Sequence, residues 1–288
     1  MKHRIEPLIA ERAPWLASGR VPRFRAVLDQ VLRLPETVDL AETLRDMPAD
    51  RLMRVLAARI ACNVSVSGLD HIPRHGPALI VANHPTGIAD GIILHHLLSP
   101  LRPDLFFFAN ADVLRVLPQL SPMIAPVEWR ADKRSHSRTR GTVAFTNQAM
   151  RDGRLGIIFP SGRLAKRRGL SLHEREWMPS AALLARRHGV PVIPIHICAR
   201  NSALFYLLDK IHPTLRDITL FHEVLNKSEQ PFRLRVGRGI SAAALPANPE
   251  AAIAELRSAT LGLSGPRRAA VGLVEATRAP RWLEPLTS

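Results

Sequence analysis

Cysteine is nearly missing from this 288-residue chain: Cys62 and Cys198 are the only two, and both sit in apolar runs. They cannot make a disulfide framework or a cysteine-based metal site, and each is expected as a buried small hydrophobe. Aromatics amount to only 5%, and no stretch interleaves them with basic residues. Single-stranded nucleic acid needs such stacking platforms, so no nucleic-acid partner is expected. Long hydrophobic runs are missing as well: no window reaches the roughly 18 uncharged apolar residues of a spanning helix. Met1–Leu16 carries Lys2, Arg4, Glu6, Glu11 and Arg12 with no apolar stretch between them, unlike a signal peptide. The expectation is a cytoplasmic chain, soluble or peripheral to a membrane. Acidic residues are also in short supply, 25 against 40 basic ones, for a formal charge of +15. Arg supplies 35 of those 40 cations. Its planar fork suits phosphates and carboxylates, so an anionic partner is expected: a nucleic acid, an anionic membrane surface or a phosphorylated substrate on charge alone.

What is present is enough for a core, with 46% hydrophobic residues. Neither internal repeats nor low-complexity tracts interrupt the chain. Residues 1–62 read as a helical extension. In Arg20–Leu34, Val21, Phe24, Val27, Leu28 and Val31 fall on one face, and Asp50–Cys62 places Leu52, Val55, Leu56 and Ile60 likewise. From Val64 the texture becomes short apolar runs broken by Gly, Pro and Asn. Strands are predicted at Val64–Val66, Ala78–Ala82, Leu105–Ala109, Ile124–Trp129, Gly156–Phe159, Val190–Cys198, Ile218–Val224 and Phe232–Val236. Helices are predicted at Asp90–Leu98, Ala111–Leu117, Thr142–Asp152 and Ser180–His188, with another from Trp177 toward Ala185 overlapping the last. The alternation implies an α/β domain over 63–240, a mixed, mainly parallel sheet flanked by helices. Asn248-Pro249-Glu250 opens a helix to about Leu263 within a C-terminal segment, 241–288, whose last twenty residues read as a loose tail.

One segment carries chemistry. Ala78–Ala82 runs into Asn83-His84, a Pro85/Gly87 turn and a helix near Asp90. Loops at the carboxyl end of a strand favour active sites, because rigid elements hold them over a crevice. On one continuous helix His84 and Asp90 would lie about 240° apart at ~100° per residue and could not meet. Pro85 and Gly87 argue against that helix, so His84 can turn back onto Asp90. The carboxylate would then fix the imidazole tautomer and leave the other nitrogen as a base. Spacing alone equally allows His84 to close a turn and Asp90 to cap a helix.

Asn83-His84-Pro85-Thr86-Gly87-x-x-Asp90-Gly91 resembles the first motif of the glycerolipid acyltransferases, the superfamily of glycerol-3-phosphate and lysophosphatidic acid acyltransferases. Three further blocks follow in order. Ala125-Pro-Val-Glu-Trp-Arg130 stands where the second ends in Arg, Ile157-Ile-Phe-Pro-Ser161-Gly162-Arg163 is similar to the third, and Gly189-Val-Pro-Val-Ile-Pro-Ile195 is similar to the fourth. The resemblance covers about residues 64–200. It implies His84 as general base, Asp90 as its orienting partner, and Arg130, Ser161, Gly162 and Arg163 at the acceptor. It also implies acyl-CoA or acyl-carrier protein as co-substrate, a lyso-lipid acceptor, and attachment to the anionic inner face of the membrane. No metal, cofactor or covalent acyl-enzyme is implied. Two departures stand out: H-x5-D replaces the commoner H-x4-D, as in a bacterial branch with a Pro-x-Gly turn, and Ser161 replaces the usual Glu.

Ser161 as a nucleophile is not favoured, because nothing around it reads as a strand-to-helix nucleophile elbow. Two basic runs, Arg130–Arg140 and Arg163–Arg168, flank the motifs and would gather lipid or thioester-carrier phosphates at about 1 kcal/mol per cation. His95 and His96 read as structural, and Leu105-Phe106-Phe107-Phe108 as a buried strand. Two alternatives to acyl transfer stand on residues alone: a hydrolase using the same His–Asp pair, or a non-enzymatic binder of anionic lipid.

Overall fold

Strands that are apolar at every position must be covered on both faces, and such strands form the centre of this sheet. The computed structural model describes residues 2–12, 14–17, 22–128, 136–169, 171–228 and 230–264. Five helices come first: α1 (Lys2–Arg12), α2 (Pro14–Ala17), α3 (Pro22–Val31), α4 (Leu34–Leu44) and α5 (Ala49–Ile60). Then follow β1 (Val64–Ser67), β2 (Ala78–Ala82), α6 (Ile88–Leu98), β3 (Leu105–Asn110), α7 (Asp112–Val116), β4 (Ile124–Val127), α8 (His136–Arg151) and β5 (Leu155–Ile158). A small hairpin, β6 (Lys166–Arg168) with β7 (Ser171–His173), precedes α9 (Ser180–His188) and β8 (Val192–Cys198). The chain continues through α10 (Ala203–Ile211), α11 (Pro213–Leu225), β9 (Phe232–Val236) and α12 (Pro249–Gly262).

Seven strands form one sheet in the order β1-β9-β8-β2-β5-β3-β4. All neighbours are parallel except β8 and β9, so the sheet is mixed and mainly parallel. In β2, Ala78, Ile80 and Ala82 pack toward α5 and α6, while Leu79 and Val81 pack toward α8, α9 and α12. That period of two across a wholly buried strand makes three layers, helix–sheet–helix. Gly156 in β5 is required by this packing, since a Cβ there would come within 2.7 Å of the Phe106 ring. The N-terminal helices join through a separate apolar cluster, in which Ile5, Leu8, Ile9, Leu28 and Leu32 meet Val116, Leu208, Leu215 and Ile218.

Several expectations need correction. Ile218–Val224 is not a strand but part of α11. Its β-branched content suggests a strand, but His212 caps the helix, with Thr214 N–H donating to its Nδ1 at 3.2 Å, and Pro213 stands in the first turn. Leu215, Ile218, Thr219 and His222 then fall on the buried face at helical spacing. Arg20–Leu34 is not one helix: α3 stops at Val31, and Arg33 takes a left-handed conformation (φ 50°) before α4 opens with Pro35. Of that expected face Leu28 is buried, but Val27 and Val31 are exposed. Cys62 is exposed rather than buried, because it lies beyond the end of α5. Trp177 is buried but precedes its helix, which starts at Ser180. Trp129 and the tail from 265 lie outside the described residues.

Candidate functional site

The sequence blocks converge because of the strand order. β8, β2 and β5 are adjacent and parallel, with Ala82 opposite Ile195 and Val81 opposite Ile158, so the residues following all three reach one end of the sheet. The carboxyl ends of such strands form a natural crevice. Asn83 fixes the level of β2: its side-chain amide donates to Ile197 O at 2.8 Å and accepts from Ile197 N–H at 2.7 Å. This clasp extends the β2–β8 pairing by one polar side chain and sets the next residue, His84, at the rim.

His84 and Asp90 meet. His84 Nδ1 is 3.0 Å from Asp90 Oδ2, and the chain between them turns at Gly87, whose φ of 85° suits glycine. A Cβ at Gly87 would also press on Leu220 and Leu164 at 3.1 and 3.3 Å. Asp90, in the first turn of α6, is fully buried, yet its carboxylate is saturated. It accepts from Thr86 N–H at 2.9 Å, Gly87 N–H at 3.0 Å and the Thr86 hydroxyl, as well as from His84. A buried carboxylate is tolerable only when so paired, and the amino end of the helix favours its charge. With Asp90 accepting at Nδ1, the proton resides there, and Nε2 is left as the basic lone pair. The His84 ring stacks on Phe159 (centroids 4.1 Å, interplanar 24°), which fixes its plane. The side chain is 16% exposed, so an incoming hydroxyl can reach its edge.

The third block closes over the first. Ala165 N–H donates to His84 O at 2.9 Å. Ser161 is buried, and its hydroxyl donates to Arg163 O at 2.8 Å, pinning a tight loop in which Gly162 has φ 58°. The hydroxyl is thus directed at its own loop and not at His84. Arg163 is exposed at the rim. Arg130 lies outside the described residues, as does most of the first basic run; the second continues into the β6–β7 hairpin.

Sequence reasoning missed Glu174. Its Oε2 accepts from the His84 backbone N–H at 3.1 Å and its Oε1 from Trp177 Nε1 at 3.0 Å. Burial raises the Glu174 carboxyl above its ordinary value, opposed by those donors and by His84. A carboxylate therefore does stand beside the third block, delivered by the segment after the hairpin. No local pattern announced it; the missing acid at 161 was the one available signal. Among the described residues no three His, Cys, Asp or Glu side chains are grouped to hold a metal ion.

With this geometry in place, residues 63–198 match the model of a family described as Acyltransferase. The chain is similar to the lyso-glycine lipid O-acyltransferase of Phocaeicola vulgatus, 26% identical over 183 residues that cover 62% of this chain and 64% of that protein. It is also similar to the protein of the same name from Bacteroides thetaiotaomicron, 24% identical over 148 residues, 51% of this chain and 53% of the relative. The match thus spans less than two thirds of either relative. Among solved structures, a 1-acyl-sn-glycerophosphate (LPA) acyltransferase from Thermotoga maritima aligns over 97% of this chain and all of its own, at 14% identity and a TM-score of 0.47.

Proposed function

We propose that this protein is an O-acyltransferase acting on a lyso-lipid, a reading supported by the match of residues 63–198 to the model of the acyltransferase family. The acceptor hydroxyl attacks the carbonyl carbon of an acyl thioester, acyl-CoA or acyl-carrier protein. One observation carries the chemistry: an imidazole held through Nδ1 by a buried, saturated carboxylate, on a side chain that is still partly exposed. His84 Nε2 takes the hydroxyl proton as the C–O bond forms; the C–S bond then breaks, and the thiolate leaves and recovers a proton. General-base assistance of this kind is worth about 10²–10⁴-fold. Arg163 gathers the anionic groups of acceptor and donor at the rim, and the Ser161–Gly162 loop lets the backbone approach them; the motif resemblance gives Arg130 a part in holding the acceptor. The names of the two relatives support a lyso-lipid as the acceptor class.

We place the protein on a membrane surface from one side. Among the described residues no helix is long and apolar enough to cross a membrane. Leu207 and Ile211 on α10 are exposed, and so is Trp15 on α2, whose ring lies 6.3 Å from that of His212 at the end of α10. These three give an apolar surface on which a lipid could be met.

The test is turnover by purified protein with acyl thioester and lyso-lipid. Wild type should consume both, and His84→Ala should lose at least about 10²-fold in kcat while keeping its unfolding midpoint. Release of free fatty acid without acceptor consumption, or near-wild-type transfer by His84→Ala, would overturn the reading.

A further inference from the structure

Three cations are buried among the described residues, and two are fully accounted for. Arg102 donates to the Asp104 carboxylate at 2.6 and 2.8 Å and to the carbonyls of Pro73, Gly76 and Gly153 at 2.8–3.0 Å. The Lys227 ammonium, wholly enclosed, meets Glu223, Asn201 Oδ1, Arg200 O and Gln230 at 2.8–3.1 Å. Arg200 is the exception. It is 5% exposed, and its guanidinium makes no hydrogen bond or ion pair among the described residues; its Nε is enclosed without a partner. The next residue repeats the pattern. Asn201 is 1% exposed, its Oδ1 accepts from Lys227, and its Nδ2 donors have no acceptor.

Leaving a buried donor without a partner is costly, so an Arg200 Nε and an Asn201 Nδ2 that meet nothing in the chain are donors an outside acceptor would satisfy, with the Arg200 terminal nitrogens still open to it. Arg stays charged in proteins, so neutralisation by losing its proton is closed to it. The two residues are also held firmly. Arg200 O and Asn201 Oδ1 are tied to Lys227, Asn201 N–H donates to the Tyr206 hydroxyl at 3.1 Å, and Ser202 is anchored twice on Glu223. Rigid, undersatisfied donors are the arrangement expected of a preformed binding site.

Their place in the fold says what they face. They lie in the link 199–202 between β8 and α10, just past the strand that the Asn83 clasp joins to β2, so they follow β8 out at the same end of the sheet as His84. The Asp90 carboxylate acts electrostatically on both Tyr206 and Lys227, the two residues that hold this link. Arg167, from the hairpin after the third block, lies over the Tyr206 ring at 5.8 Å and adds a second positive charge near Arg200. Arg163 is exposed, whereas Arg200 is 5% exposed with its Nε fully buried.

We propose that Arg200 and Asn201 form an oxyanion subsite that takes the acidic headgroup, carboxylate or phosphate, of the acceptor while its hydroxyl lies at His84. The identity of the bearer rests on the acyl-transfer reading; the anion site itself rests on the unpaired donors. A guanidinium supplies two parallel N–H donors to such a group, and the Asn201 amide a third.

The test compares lyso-lipids of one acyl chain that differ in headgroup: carboxylate, phosphate, and the neutral monoacylglycerol. With one acyl thioester, wild type should favour at least one anionic acceptor over the neutral one by about tenfold or more in kcat/KM. Arg200→Gln should collapse that ratio toward unity, and Arg200→Lys should keep part of it. The carboxylate and phosphate arms identify the headgroup. Repeating the assay with acyl-CoA and with a phosphate-free acyl thioester separates acceptor from donor: a preference that moves with the donor overturns the assignment. Equilibrium binding of the same three lipids without thioester is measured alongside. If nothing is acylated but Arg200→Gln weakens anionic binding about tenfold, the acyl-transfer reading fails and the anion site stands. If Arg200→Gln fails to fold, Arg200→Lys and the wild-type ratio still decide. Wild type that neither binds nor uses anionic acceptors better than neutral ones overturns the proposal on its own.

Discussion

Asp90 accepts four hydrogen bonds while fully buried, and that saturation makes its replacement informative. Asp90→Asn keeps the volume but turns one acceptor into an N–H donor facing donors. The imidazole then loses its reason to keep the proton on Nδ1, and the basic nitrogen points the wrong way. We expect kcat to fall by about 10²–10⁴-fold with little change in the KM for thioester, measured by steady-state kinetics on protein whose circular dichroism matches wild type. An unchanged kcat would show that His84 needs no orienting partner. The residues of this pair were legible in the sequence, because a Pro/Gly turn between a strand and a helix leaves few other geometries. Glu174 was not, since its contact with His84 depends on a hairpin returning over the site, a relation between segments 90 residues apart. Arg200 was equally hidden. It follows the fourth block in sequence, but its isolation shows only against Arg102 and Lys227, which find their partners through tertiary contacts.

Elements place these residues, and the β2–β8 junction is the one to test. Asn83→Ala removes two buried hydrogen bonds and leaves Ile197 N–H and C=O unmet, a loss of about 2–4 kcal/mol. Urea unfolding should show that loss in the midpoint. The same variant should lose turnover beyond its stability loss when assayed well below its melting temperature, because the level of His84 is no longer set. Full activity would make the clasp purely structural. Central strands were legible as apolar runs bounded by Gly, Pro and Asn, and their parallel order followed from the intervening helices. The error at Ile218–Val224 has a physical cause: a run containing Ile, Thr, Leu and Val satisfies a strand and about two turns of buried helix alike, and only the His212–Pro213 cap decides. The break at Arg33 was hidden because Arg rarely takes a left-handed conformation, so only the following Pro35 hints at it.

At the scale of the whole molecule, pH should act on stability through His196. This residue lies in β8 opposite Arg235 of β9 and is buried; burial first, and Arg235 second, hold its ring down at about 4 instead of 6.5. Because the folded value is depressed, the unfolded chain takes up a proton first as pH falls. The stability that the neutral ring allows is therefore complete above about 6.5 and is lost as pH drops toward 4. Between pH 7.5 and 5 the loss from this group comes to about 2 kcal/mol. Chemical denaturation at both pH values should show it, and His196→Phe should flatten that part of the profile. An equally steep profile in the variant would assign the acid sensitivity elsewhere.

The His84–Asp90 pair and Arg200 ride on different loops of this sheet: His84 and Asp90 at the β2–α6 turn, Arg200 and Asn201 at the β8–α10 link, with no hydrogen bond between the two sets of side chains among the described residues. Inheritance can therefore treat them separately. On the roles proposed above, exchange of the residues after β8 would change which lipid is accepted and leave the His84–Asp90 step intact. In a lineage that diversifies, the link 199–202 should drift with the membrane chemistry of each organism, and the turn 83–90 should stay still.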